Sequence, residues 1–519
     1  MHRRLIPFAL LALPILSSDL TAARADTTAP SLSYAIDLND RADDLFKVTL
    51  TVEGLGAGNE IYQFASTAPG TYQVMNIGRY VRSFEALDAA GKPVAVEHVS
   101  VNQWKLGDPA RVRTIRYRIA ETWDTKVEQN QVYLMCGTSI ENDHVLINPH
   151  AVIGYPTGLQ ATPVRLRLAY PSGWKVGTAL ERGKEGTYRA ESYDRLIDSP
   201  ILLGRLTNAS TTVTGVPVEI YAYSKTDKIK ATQLLSAMDD MLEAAGHFLG
   251  RLPVNRYTFL YHFEDKSAGA WEHSLSSEYV FQESPYTDSL GTYLTDIAAH
   301  EFFHIVTPLN IHSEIIEHFN FVTPVPSQHL WLYEGTTEWA AHIMQLRAGL
   351  KSPEDYLAKM LQKMQIDQAA FDSSYSLREL ALTSYSDSGQ KQYGNIYMRG
   401  ALTAGLLDIR LLELSHGERG LQDLILELTR KFGKQRSFPE NGLVDTLVAM
   451  TYPEVRDFFA RYVWESEKLP IKEYYAKLGI RLVEDADGRP VRFEILPDPT
   501  PEQRRLREAW LGRPPRKST

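Results

Sequence analysis

From Asp26 to about Ser210, apolar and polar residues alternate along the chain. Phe46, Val48, Leu50 and Val52 are separated by Lys47, Thr49 and Thr51. Val164, Leu166, Leu168 and Tyr170 are separated by Arg165, Arg167 and Ala169. A period of two, with turn residues between the runs, predicts antiparallel strands buried on one face. The glycine-rich stretch Gly54 to Gly58 precedes Glu60-Ile61-Tyr62-Gln63-Phe64, which alternates like another strand and opens no helix. It reads as a hairpin turn, not as a dinucleotide loop.

The period changes after Lys225. Leu234, Leu235, Met238, Met241, Leu242, Ala245, Phe248 and Leu249 fall on one helical stripe, closed near Gly250 and Pro253. Strand-like segments follow at Tyr257 to Phe263 and Glu278 to Gln282. Ser352-Pro353-Glu354-Asp355 caps a helix with proline at its first position, and further stripes cover Tyr397 to Leu414, Leu421 to Phe432 and Glu454 to Val463. The basic, proline-rich tail after Pro497, with one capped helix from Thr500, reads as a solvated end. The pattern therefore predicts an α+β multidomain chain. A β-sandwich-like domain would cover 26–215, a mixed domain of strands and helices 216–350, a helical C-terminal domain 351–480 and an extension 481–519.

Length supports several domains, since 519 residues exceed what one hydrophobic core accommodates. A net charge of −9 argues against nucleic acid or an anionic membrane as the main partner. The basic start Met1-His2-Arg3-Arg4, the short apolar run Leu5 to Leu16 and the small-x-small site Ala23-Arg24-Ala25 predict a signal peptide over 1–25. The mature chain would begin near Asp26 and reside in a periplasm, free of the membrane; an uncleaved anchor is the alternative. Cys136 is the only cysteine, so no internal disulfide can form, and it reads as a buried packing thiol.

The candidate chemistry lies in Ala298-Ala299-His300-Glu301-Phe302-Phe303-His304-Ile305-Val306. On a helix, residues four apart stand about 6 Å from each other on one face, so His300 and His304 can share an ion with Glu301 beside it. A third ligand is required. Thr307 and Asn310 occupy the places where a metzincin needs glycine and histidine, which excludes that class. His312, His318 and His329 have no defensible spacing. Glu334 and Glu338 in Leu330-Trp331-Leu332-Tyr333-Glu334-Gly335-Thr336-Thr337-Glu338-Trp339 share a helical face among apolar neighbours. A buried acidic pair needs a cation, which suits one carboxylate on the metal and one orienting a ligand histidine.

At this point the chain resembles the gluzincin peptidases, through HEFFH and the WLYEG element, and within them the glycyl aminopeptidase family (peptidase family 61). Pro69-Gly70-Thr71-Tyr72, Tyr193-Asp194-Arg195-Leu196-Ile197-Asp198-Ser199-Pro200 with Gly204, Gly269-Ala270-Trp271-Glu272-His273, and Tyr397-Met398-Arg399-Gly400-Ala401 with Leu407-Asp408 resemble that family's motifs in order. The resemblance spans roughly 32 to 480. It departs at Val306 to Asn310, where tryptophan, asparagine and lysine are usual, and at Ala270 and Trp271, where glycine and leucine are usual. Many members carry a C-terminal PDZ domain, for which too few residues follow Ile480.

The resemblance implies a thermolysin-like catalytic domain and one Zn2+ per chain. His300, His304 and Glu334 would be the metal ligands and Glu338 the orienting carboxylate. Glu301 would be general base, and Tyr397 would donate to the oxyanion. Glu272 would bind the substrate's α-ammonium, with Gly269, Ala270 and Trp271 as neighbouring substrate contacts. Packing for Tyr397, a strand-end carboxylate for Glu272 and core or pocket wall for Trp271 remain the alternatives. The expected activity is an exported aminopeptidase acting on peptides with small first residues. A zinc endopeptidase, and a non-catalytic peptide-binding protein with structural zinc, are its rivals.

Overall fold

The computed structural model of the chain describes residues 31–512; the expected leader over 1–25 lies outside the described residues. The N-terminal region is rich in β-structure. Its largest sheet has eight strands in the order Glu181–Arg182, Thr187–Ala190, Val164–Ala169, Ser31–Asp37, Leu45–Glu53, Thr114–Ala120, Val81–Leu87 and Pro93–Val94. Pairing is antiparallel except between Ser31–Asp37 and Val164–Ala169, which run parallel. The alternation works as period two requires: Phe46, Val48, Leu50 and Val52 are buried and the residues between them are not. They share one core with Tyr62, Trp104 and Val145 of two four-stranded sheets.

The Gly54–Gly58 segment corrects the hairpin expectation. Leu45–Glu53 pairs with Ser31–Asp37 on one edge and Thr114–Ala120 on the other, so neither edge is free for the strand that follows. Ile61–Gln63 pairs instead with Gln103–Leu106 and Tyr155–Pro156, and the glycines make a crossover between sheets.

The middle of the chain builds a five-stranded sheet in the order Thr207–Val213, Val216–Ser224, Tyr257–Glu264, Ser276–Gln282, Gly269–His273. The expected boundary at 215/216 falls in the turn between its first two strands, where Val213 pairs with Val216. Tyr257–Glu264 is buried along its whole length, as a central strand with parallel neighbours on both sides should be. Gly269–His273 is the edge strand, bonded only to Ser276–Gln282. Helix Ala231–Leu249 and the motif helix Asp288–Phe303 pack together against this sheet.

The C-terminal part is helical, and its apolar side chains continue the core beneath the five-stranded sheet instead of forming a separate one. Helix Pro353–Ala370 starts at Ser352, whose hydroxyl accepts from Asp355 N while Asp355 reaches back to Ser352 N. Helix Asn395–Leu414 crosses the turn that carries Glu334. There a Cβ on Gly335 would lie 2.7 Å from Gly400 Cα, so only glycine at both positions lets the backbones meet. The tail also departs from expectation. Helix Pro501–Trp510 buries Leu506 and Trp510, stacks Trp510 edge-on to Tyr356 at 5.4 Å and gives its Trp510 carbonyl to Arg347. Two apolar positions four apart in an otherwise charged helix suffice to dock it, each contributing about 1.5–3 kcal/mol. No helix among the described residues is long and apolar enough to cross a membrane.

Candidate active site

Thr287 caps the motif helix by accepting from Leu290 N, and the helix carries His300 in its last turn with His304 at its C-cap. The two Nε2 atoms stand 3.1 Å apart, and Glu334 Oε2 lies 3.4 Å from the first and 3.5 Å from the second. Around a tetrahedral ion with bonds of about 2.0–2.1 Å, donor atoms are about 3.3–3.4 Å apart, so the three sit near coordination spacing. Glu334 belongs to a single π-helical turn, Trp331–Thr336, which passes into helix Thr337–Arg347. Such turns recur at functional sites because the extra residue redirects a side chain.

Proton accounting decides what the triad needs. His300 Nδ1 donates to Glu338 Oε2 at 2.6 Å, and His304 Nδ1 donates to the Thr307 carbonyl at 2.9 Å. With both Nδ1 protons committed, both Nε2 atoms of the neutral rings present lone pairs; against burial, Glu334, Glu338 and Glu301 raise His300 well above its ordinary value, so its Nε2 draws a proton or a metal ion. Two lone pairs and a carboxylate thus converge in a buried site, and a cation is what satisfies them. A second buried group, His144, His262 and Glu264, differs in this respect. His262 Nδ1 has no partner among the described residues, so its proton can sit on Nε2 and bridge the 2.9 Å to His144 Nε2. That is an ordinary N–H···N hydrogen bond, and it requires no ion.

Glu338 is heavily partnered. Besides His300 it accepts from His342 Nε2 at 3.0 Å and from Lys363 Nζ at 2.5 Å. Against burial, Lys363, His342 and His300 hold its carboxyl well below the usual range. Lys363 also donates to the Tyr397 carbonyl at 3.3 Å, tying this carboxylate to the first turn of helix Asn395–Leu414. The Tyr397 ring lies 5.5 Å from the His300 ring.

Burial, opposed by His300, pushes Glu301 up to about 8. Glu272 is also raised well above its ordinary value, by burial and then by the charges of Glu334 and Glu301. Donor atoms of Glu272, Glu301 and His304 lie within 4.8 Å of one another, so a second site for positive charge adjoins the triad. Along the edge strand, Trp271 and His273 turn into the interior while Ala270 and Glu272 remain half-buried. Trp271 packs into the N-terminal core, and its Nε1, which makes no hydrogen bond, stands beside Gly70 at the cavity wall. Tyr72 closes the same cavity. Burial, then the charges of Glu334 and Glu272, push its phenol well above the ordinary value.

Every site residue expected from the sequence lines one cavity of about 1090 Å³. Sequence reasoning missed Lys363, His342, Thr307 and Tyr72. His342 lies four residues after Glu338, a spacing that could have exposed it. Thr307 acts through its carbonyl, which residue type does not reveal.

Residues 33–205 match the Peptidase M61 N-terminal domain and residues 293–403 match the M61 glycyl aminopeptidase, together more than half of the chain. The chain belongs to the M61 peptidase family. As an M61 peptidase it is a metallopeptidase hydrolase, which sets aside the non-catalytic binding protein. The fold of this M61 peptidase is similar to the crystal structure of an aminopeptidase N family protein from Idiomarina loihiensis, with TM-score 0.77 and 22% identity over 87% of this chain and 79% of that one. It is also similar to yeast LTA4 hydrolase in complex with bestatin, with TM-score 0.54 and 13% identity over 85% of this chain and 68% of that one. The native form of that yeast enzyme gives TM-score 0.53, again at 13% identity, over 86% and 70%. At such identities the likeness speaks for the fold alone. No curated protein matches the chain in sequence.

Proposed function

We propose that this M61 peptidase is a zinc-dependent aminopeptidase removing small first residues, glycine or alanine, from short peptides. One observation carries the reading: His300, His304 and Glu334 converge with both Nδ1 protons already committed. Zinc held by those three residues would supply Lewis acidity at the scissile carbonyl. Glu301, poised by burial to exchange protons near neutral pH, takes one from the attacking water and returns it to the leaving amine. Tyr397 donates its phenolic hydrogen to the carbonyl oxygen as charge grows there. Glu272 accepts from the peptide's α-ammonium, a cation that its own surroundings lack. The outer edge of Gly269–His273 is unpaired and suits an extended peptide added as a further strand. The preference for a small first residue rests on the match to the M61 glycyl aminopeptidase.

A zinc endopeptidase is the second reading, and one observation favours it. Behind Gly70, Tyr72, Trp271 and Glu272 lies another cavity of about 700 Å³, which shares those residues with the first. A chain running past Glu272 would find space there. Metal content and hydrolysis of free and N-acetylated peptides, for wild type and Glu301→Gln, test both readings. The aminopeptidase reading expects about one zinc per chain, no cleavage of acetylated peptide, and a zinc-loaded but inactive variant. Equal cleavage of acetylated and free peptides would favour the endopeptidase, and full activity of Glu301→Gln would refute the mechanism. Export belongs to the same proposal and rests on residues 1–25 alone; N-terminal sequencing of periplasmic protein should begin near Asp26, and a chain retained in the cytoplasm with Met1 in place would contradict it.

A further inference from the structure

We propose that Tyr72, delivered to the catalytic cavity by the N-terminal region, contacts substrate directly: its phenol oxygen accepts a hydrogen bond from the peptide's α-ammonium beside Glu272. The inference rests on the aminopeptidase reading and names a residue to which that reading assigns no role.

Four observations converge on Tyr72. Its ring leaves its own region and packs on the catalytic core, lining the cavity that holds the triad. Its backbone is left-handed, with φ 46°, a conformation uncommon and costly for a residue with a bulky side chain. Surrounding structure enforces it: Gln390 of the helical region donates to the Tyr72 carbonyl at 2.9 Å, and Thr71 Oγ1 bonds Ala68 O at 2.8 Å.

The turn also lies directly on the substrate carboxylate. A Cβ on Gly70 would stand 2.6 Å from Glu272 Oε1, so glycine is required for the approach. Finally, the Tyr72 ring is fixed at 5.1 Å from that of Tyr393, which in turn lies 5.9 Å from Tyr397, yet its hydroxyl makes no hydrogen bond among the described residues. A strained turn, held from two regions, thus carries an unengaged phenol into the cavity that Glu272 also lines, while its Gly70 end meets that carboxylate. An α-ammonium offers three donors, and Glu272 alone does not surround it; a neutral phenol oxygen supplies a further acceptor without adding charge.

Tyr72→Phe keeps the ring and removes only the oxygen, whereas Tyr72→Ala removes both. A hydrogen bond to a charged group predicts that Tyr72→Phe lowers kcat/KM roughly tenfold or more on a glycine- or alanine-initiated peptide. The loss should appear chiefly in KM, with bound zinc and melting temperature unchanged. On the desamino analogue, which lacks the α-ammonium, wild type and Tyr72→Phe should be equal. If Tyr72→Phe matches wild type within about twofold while Tyr72→Ala is impaired, the ring merely packs and the proposal is overturned. An equal loss on the desamino analogue overturns it as well. Failure of the aminopeptidase reading looks different, because the wild type itself would then cleave the N-acetylated peptide as readily as the free one.

Discussion

Lys363→Met removes the ammonium that bonds both Glu338 and the Tyr397 carbonyl, at 2.5 and 3.3 Å. Lys363 is only 3% exposed, so water cannot replace it. Removing one partner of a buried ion pair costs about 3–5 kcal/mol when the other is left alone. Glu338 is not left alone, since His300 at 2.6 Å and His342 at 3.0 Å remain. Methionine also fills most of the space of the lysine stem. The stability loss should therefore be smaller, about 1–3 kcal/mol.

The larger effect should fall on the metal. With its ammonium gone, Glu338 holds the His300 Nδ1 proton less firmly, and the ring is less well aimed at the triad. Loss of a group that supports a ligand histidine typically weakens metal binding about 10–100-fold. Chelator competition on wild type, Lys363→Met and Lys363→Arg measures it directly, and urea melts with and without zinc give the stability term. Arginine should recover much of the affinity because it restores the charge. Zinc affinity of Lys363→Met within about twofold of wild type would refute the positioning argument, whatever happened to turnover.

Gly335→Ala drives a Cβ to 2.7 Å from Gly400 Cα, so the helix bearing Tyr397 must shift; stability should fall by about 1–3 kcal/mol and kcat by tenfold or more, while zinc affinity stays near wild type. Melting curves, kinetics and metal titration check the three parts. Gly70→Ala combines φ +76° with a Cβ 2.6 Å from both Glu272 Oε1 and Trp271 Nε1, so melts should show a loss of about 1–3 kcal/mol and steady-state kinetics KM raised for free peptides. Glu121, buried without a cation, is pushed by burial up to about 7 from 4.5. The unfolded chain ionises first, so its contribution is present below pH 4.5 and lost as pH rises through about 7, a change of about 3 kcal/mol. Urea melts of wild type should weaken across that window relative to those of Glu121→Gln; an identical pH slope in the two proteins would contradict the burial argument.

Period two marked the N-terminal strands because one buried face is enough to impose it, as in Leu45–Glu53. It could not say which strand lies beside which. Ser31–Asp37 finds a parallel neighbour in Val164–Ala169, far along the chain, and the edges so occupied turn Gly54–Gly58 into a crossover. The convergence of His300, His304 and Glu334 was legible because helix geometry alone brings the two histidines together, and burial of Glu334 and Glu338 follows from their apolar neighbours. Lys363 was not. It interrupts the stripe of Leu357, Met360 and Met364, and residue type does not distinguish a buried cation from a solvated one.

The segment Val306 to Asn310 teaches the converse. Read by residue type it departs from its family, yet the group that orients His304 is the Thr307 carbonyl, to which Thr337 Oγ1 also donates at 3.4 Å. A backbone atom tolerates any side chain that preserves the turn, so the departure leaves His304 oriented. The two halves of the cavity were foreseen by different routes, one from spacing and the other from resemblance alone. Its metal-facing half comes from one helix and the turn after it, where spacing carries the information. Its substrate-facing half is assembled from Gly70 and Tyr72 of the N-terminal region, the edge strand and Tyr397 of the helical region. No local pattern records such a meeting. What marks it in the structure is two close approaches, Gly70 onto Glu272 and Gly335 onto Gly400, each allowing distant regions to share one wall.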